Sequence, residues 1–145
     1  MILDDILPKA RKEKRPVLTE IEAKEILKET GITFTDTRLA ADKTQAMALS
    51  EEMGYPAVLK IASEDITHKS DAGGVKANLP DKAAVEKAYD EIMASCTAKY
   101  PDANIEGISV QGMAKAGIEV IIGMTKDSYL DRFLCLDWEG YSLKC

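Results

Sequence analysis

Apolar positions recur along this chain with two different periods, and the periods alternate. Residues 2–15 read as a short amphipathic helix with Ile2, Leu3, Ile6, Leu7 and Ala10 on one side, ended by Pro16. A second helix is expected at about 20–30, where Thr19 and Glu22 form a capping box, Ile21, Ile26 and Leu27 make a stripe, and Gly31 stops it. Thr33–Leu39 has the β-branched, period-two pattern of a strand, and Lys43–Met53 is helical and closed by Gly54. Ala57–Ala62 and Gly74–Leu79 read as short strands. Pro80 and Asp81 then open a long helix to about Tyr100, with Ala84, Val85, Ala88, Ile92 and Met93 on its apolar face. Gly107–Met113 and Ile118–Met124 read as adjacent strands joined by the turn-like Ala114–Gly117, hence an antiparallel hairpin. Strands alternating with helices indicate an α/β (α+β) fold with a mixed sheet flanked by helices.

Composition narrows the class. The chain has 145 residues, 46% of them hydrophobic and 30% charged, which is one domain's worth with enough apolar content for a core. A net charge of −6 argues against a dedicated nucleic-acid binder. The short basic run Lys9–Arg15 reads as a solvated face rather than a phosphate site. No apolar stretch is long enough to span a bilayer, and the acidic start Met1-Ile-Leu-Asp-Asp lacks the positive charge of a secretory signal. Three cysteines without paired spacing fit a reducing cytoplasm. His68 is the only histidine, which excludes a multi-histidine metal site.

The segment Ile66-Thr-His-Lys-Ser-Asp-Ala-Gly-Gly-Val75 concentrates the candidate chemistry. A histidine there can exchange a proton or a phosphoryl group, and paired glycines permit positive φ and close approach of backbone to a ligand. A glycine-rich hairpin with an incidental histidine fits the spacing equally well. Lys60 stands inside the apolar run Val58-Leu-Lys-Ile-Ala, where an ammonium needs solvent or an anion. Glu119, within Ile118-Glu-Val-Ile-Ile, is either one wet position on a strand or a ligand-facing carboxylate; Gln111 is a weaker candidate. There is no Gly-x-x-x-x-Gly-Lys-Ser/Thr loop and no Gly-x-Gly-x-x-Gly fingerprint. Spacing alone reaches an α/β domain with an anion-binding option.

Four ordered segments go further: Leu18–Leu27 followed by Gly31-Ile, Gly54–Ser63, Ile66–Val75 and Gly117–Met124. Over about Ile6 to Tyr129 the chain resembles the β subunit, or ATP-grasp part, of the ADP-forming acyl-CoA (acetyl-CoA) synthetases. The His-Lys-Ser-Asp-x-Gly-Gly run is the specific match. The resemblance implies the N-terminal lobe of an ATP-grasp fold and the reaction acyl-CoA + ADP + phosphate ⇌ carboxylic acid + CoA + ATP. It also implies phosphohistidine transfer to the nucleotide, with ATP or ADP and Mg²⁺. His68 matches the family's second phosphate-carrying histidine, on a segment expected to swing. Lys69, Ser70, Asp71, Gly73 and Gly74 form its phosphate loop, and Lys60 matches the lysine that contacts nucleotide phosphate. Gln111 and Met113 would lie near the adenine, and Glu119 on the strand bordering the nucleotide cleft. The implied partner is a CoA-binding α subunit. Mg²⁺ ligands belong to a second lobe that this sequence is expected to lack, so activity alone is not expected. A non-catalytic nucleotide-binding or interaction module paired with that α subunit, or a degenerate gene product, remains the alternative.

Residues 130–145 break the pattern. Leu130–Cys145 hold the only tryptophan and two of three cysteines, with no clean period. Back-translated with one T restored ahead of them, they read Phe-Gly-Pro-Val-Pro-Met-Phe-Gly-Leu-Gly-Gly-Ile-Phe-Val-Glu-Val-Leu, which has the family's glycine-rich pattern. The expectation is therefore an ATP-grasp lobe over 1–129 and a frameshifted tail over 130–145, leaving strand 118–124 without a neighbour.

Overall fold

In the computed structural model, residues 2–115, 117–118, 120–127 and 131–138 are described, Thr125, Asp127 and the last eight as backbone only. Contacts divide the chain into two compact units, 1–113 and 114–145. The first carries four helices, α1 (Ile2–Lys12), α2 (Glu20–Glu29), α3 (Lys43–Met53) and α4 (Lys82–Lys99), and four strands, β1 (Thr37–Ala40), β2 (Ala57–Ser63), β3 (Val75–Leu79) and β4 (Ile105–Gly112). The second carries β5 (Val120–Asp127) and β6 (Asp131–Trp138), paired with each other as an antiparallel hairpin.

Helix ends follow local chemistry. Thr19 and Glu22 close the expected capping box on α2. Asp42 and Asp81 accept from Gln45 N and Ala84 N, each at 2.8 Å, and so satisfy otherwise unpaired donors at the starts of α3 and α4. Gly54 ends α3 at φ 86°, a backbone angle that favours glycine.

The four-stranded sheet has the order β1-β4-β2-β3, and every pairing in it is antiparallel. The α/β class stands, but the sheet is not mixed. β1 and β2 run the same way, as their helical connection suggests, yet β4 lies between them and opposes both. The expected hairpin of 107–113 with 118–124 does not form either. Both edges of β4 are taken, by β1 and β2, and β5 pairs with β6 instead. β5 therefore has the neighbour that the sequence reading denied it, and the compositional break at 129/130 falls between two paired strands. β1 begins only at Thr37, because its ladder with β4 starts at the pair Thr37–Gln111.

Alternation gives the sheet two unlike faces. Ala57, Leu59 and Ile61 of β2, with Ile108 and Val110 of β4 and Ala40 of β1, point into a core completed by Val85, Ala88, Ile92 and Cys96 of α4 and Ala46 of α3. All are nearly or fully buried. The thiol of Cys96 is raised above its ordinary value by that burial. The opposite face carries Val58 and Lys60, with Ser109 and Gln111 across from them on β4 and Thr37 beyond. No described helix is long and apolar enough to cross a membrane.

The joint between α1 and α2 departs from the sequence reading. Lys9, Arg11, Lys12 and Lys14 are exposed as expected, but Arg15 is not part of a solvated face. Its side chain retains 9% of its accessible surface and donates to both oxygens of Glu22, at 3.0 and 2.9 Å. It also pairs with Glu13 and Glu64. The Arg15 hydrogen bonds hold the Glu22 carboxyl down at about 2. A depressed carboxylate stabilises the fold above its unfolded value and loses that effect as pH falls through its folded one. Arg15→Met should thus lower the urea midpoint at pH 7, and the gap from the parent chain should narrow as pH falls from 4.5 towards about 2. A gap independent of pH would contradict this assignment.

Glycine packing supplies a second test. A Cβ on Gly74 would lie 2.5 Å from Ile61 Cγ2 and 3.1 Å from Cys96 Sγ, whereas one on Gly112 would meet nothing nearer than 3.9 Å. Gly74→Ala is expected to cost about 1–3 kcal/mol in denaturant unfolding. Gly112→Ala should change stability by less than about 0.5 kcal/mol, and equal effects would show that packing at Gly74 is not what selects glycine.

Candidate functional site

Lys60 sits on the polar face of β2 because Leu59 and Ile61 take the core side. Its ammonium lies 3.0 Å from Glu20 Oε1, and the two side chains keep 26% and 25% of their surface. Glu20 is the first residue of α2. Its carboxylate also meets Lys24 Nζ at 3.0 Å, one helical turn on. Lys24 Nζ donates in addition to Thr37 Oγ1 at 2.5 Å and Gln111 Oε1 at 3.2 Å. Burial pushes the Glu20 carboxyl up, but hydrogen bonds from Lys24 and Lys60 outweigh it, and it stays below its ordinary value.

The connection from β2 to β3 supplies the other wall. It is anchored at both ends by buried apolar side chains, Ile66 and Ala72. Between them the backbone closes on itself: Ala72 N donates to His68 O at 3.1 Å, Gly73 N to Ser70 O at 3.0 Å and Gly74 N to Lys69 O at 2.7 Å. Helix α4 holds the turn from behind, with Ser95 Oγ donating to Ala72 O at 2.8 Å and Lys99 Nζ to Asp71 O at 2.7 Å. Gly73 takes a positive φ of 74°, as the sequence suggests. The close approach that the two glycines allow is to their own core. A Cβ on Gly73 would sit 2.5 Å from Ser95 Oγ, and one on Gly74 would meet Ile61. No ligand is needed to explain either glycine.

This turn leaves His68 exposed, and it opens with Lys60 onto one groove of about 430 Å³. Glu20, Thr67, Lys69, Ser70, Asp71 and Val75 complete the lining. The groove thus brings together the histidine, the strand lysine and three of the five loop candidates, while Gly73 and Gly74 shape the turn from beneath. Gln111 is tied to the same cluster through Lys24. Met113, half exposed, borders a separate hollow with Asp36, Arg38 and Met53. Glu119 lies outside the described residues, as do Cys145 and the side chains of Phe133, Leu134, Cys135 and Trp138. Sequence reasoning missed Glu20 and Lys24. Their i, i+4 spacing just inside the capping box was a visible signal of an ion pair, but nothing in it told that β2 would bring Lys60 to the same oxygen.

An ammonium and an imidazole bordering one open groove can hold a phosphoryl group and exchange it. Among the described residues no three His, Cys, Asp or Glu side chains converge as a metal site.

Comparison with known proteins identifies the family. The family profile for the ATP-grasp domain matches residues 9–143. The β subunit of acetate–CoA ligase [ADP-forming] I from Pyrococcus furiosus is 44% identical over 123 residues, covering 85% of this chain and 53% of that subunit. The chain thus spans about half the length of that relative. The dinucleotide-forming acetyl-coenzyme A synthetase 1 of Ca. Korarchaeum cryptofilum, solved with coenzyme A and Ca-AMPCP, superposes with a TM-score of 0.90 at 42% identity, over 95% of this chain and 60% of that one. A second structure of the same enzyme, with a phosphorylated phosphohistidine segment in its site I orientation, gives a TM-score of 0.81 at 38% identity, over 97% of this chain and 60% of the other. By its profile match, its fold and its relatives, the chain belongs to the ATP-grasp family, in the group that includes the β subunits of ADP-forming acetate–CoA ligases.

Proposed function

We propose that this chain provides the phosphate-handling wall of the nucleotide site in an ADP-forming acid–CoA ligase, with His68 receiving a phosphoryl group and passing it to ADP. The observation that carries the reading is that Lys60 and His68 line one groove. In the transfer step a terminal phosphate oxygen of ADP attacks the phosphorus on the imidazole. The P–N bond breaks, its electron pair returns to the ring nitrogen, the ring takes up a proton, and ATP departs. Lys60 offsets the negative charge that gathers between donor and acceptor, and it does so from a strand that need not reorganise. The Korarchaeum enzyme, described with a phosphohistidine segment and with a nucleotide analogue, supports this order of events by likeness. The phosphate comes from a CoA-binding α subunit acting on acyl-CoA and inorganic phosphate in the cytoplasm. The family resemblance would put the Mg²⁺ ligands outside the described residues, and the metal would there offset phosphate charge.

Movement is the demanding part of this reading. The 68–74 turn is hydrogen-bonded internally and pinned to α4, so a swing of His68 between partner and nucleotide must pivot near Ile66 and Ala72. The ring itself is exposed and unencumbered by the core.

Residues 130–145 have no place in the site under this proposal, which reads them as the product of a one-base deletion after Tyr129. Sequencing the gene through that codon is expected to reveal the glycine-rich peptide in the alternate frame. Its absence there would end the frameshift reading without touching the groove.

The functional test uses the chain mixed with a phosphorylated CoA-binding α subunit of the family. His68→Ala should abolish base-stable, acid-labile phosphate on this chain while leaving ADP binding within about twofold. Lys60→Met should weaken ADP binding by about tenfold or more, as loss of a charge-assisted contact does. Phosphate label persisting in the His68 variant would remove that residue from the mechanism. A partner that binds equally well without any Lys60-dependent nucleotide would favour a non-catalytic interaction module.

A further inference from the structure

Glu20 Oε1 lies 3.0 Å from Lys24 Nζ and 3.0 Å from Lys60 Nζ. One carboxylate oxygen thus bridges two ammoniums, which are brought to at most about 6 Å apart and would repel one another without it. Two lysines around a single anionic oxygen form an arrangement that also suits a phosphoryl oxygen. The site is built from three elements: Glu20 and Lys24 come from α2, Lys60 comes from β2, and Gln111 of β4 fixes Lys24 from the far side.

Resting on the reading that a nucleotide phosphate meets Lys60, we propose that Lys24 is a second phosphate-binding lysine. Glu20 is the internal occupant of the pair, and the ligand displaces it. Three features suit the exchange. Lys24 stays oriented after Glu20 leaves, because the neutral acceptors Thr37 Oγ1 and Gln111 Oε1 keep hold of it. Helix α2 need not unwind, since its end is secured by the Thr19–Glu22 capping box rather than by Glu20. Glu20 itself borders the open groove, so its carboxylate has solvent to turn into. While Glu20 bridges them, its carboxylate keeps two like charges together. A polyphosphate, with more than one negative charge, replaces it at both lysines.

Glu20 is then a positioning and gating residue, and its removal strengthens binding where loss of a merely structural contact would weaken it. Calorimetric titration of the full chain with ADP discriminates. Glu20→Gln should bind ADP about five- to tenfold more tightly than the parent, and Lys24→Met about tenfold more weakly. If Lys60→Met binds like the parent, the nucleotide reading of the groove fails. If Lys60→Met loses binding while Glu20→Gln is unchanged or weaker, the displacement proposal alone fails. A measurement without substitution guards against misfolded variants: in ¹⁵N-lysine-labelled parent chain, the side-chain resonances of Lys24 and Lys60 should shift together as ADP is added. A Lys24 signal that stays still while Lys60 moves would overturn the assignment.

Discussion

The alternation of β2 is the constraint from which the rest of the site follows. Leu59 and Ile61 are drawn fully into the core against α4, and a strand cannot bury two such neighbours without presenting Lys60 on the other face. That face carries Lys60, Ser109, Gln111 and Thr37 beside Val58, and α2 meets it through the Glu20–Lys60 and Lys24–Gln111 contacts. Helix α2 buries no residue fully. The hydrophobic effect therefore sets where the ammonium stands, while electrostatics decide what stands opposite it. The β2–β3 turn obeys the same division, with Ile66 and Ala72 fastening it to the core and His68 left outside.

Such a site is rigid beneath and adjustable above. The glycines are consumed by close packing to α4 and β2, so they serve the fold directly and the chemistry only by setting the shape of the turn. The adjustable parts are side chains: the imidazole of His68, the carboxylate of Glu20 and the stems of two lysines. For the proposed phosphoryl transfer this is a workable arrangement, because the groups that hold charge are pre-positioned and the group proposed to carry phosphate is exposed.

Much of this was legible from residue order. Caps and stops placed α2, α3 and α4 almost to the residue, since Thr19, Gly54 and Asp81 act through bonds to their immediate neighbours. Lys60 and His68 were visible as polar intrusions in apolar or glycine-rich context. What was not legible is long-range. The order β1-β4-β2-β3 places β4 between two strands far from it in sequence, and this rules out the local hairpin that Ala114–Gly117 suggested. Arg15 looked like one more solvated cation until the fold brought Glu22 and Glu64 to it. The Lys24–Glu20–Lys60 bridge likewise needs β2 to arrive beside α2, which no local period encodes.

The account stands most directly on where a nucleotide's phosphates lie. A crystal structure of this chain with a non-hydrolysable ATP analogue should show the terminal phosphate within hydrogen-bond reach of Lys60 Nζ and facing the His68 ring. Phosphates bound instead in the hollow beside Met113, with Lys60 still paired to Glu20, would contradict it.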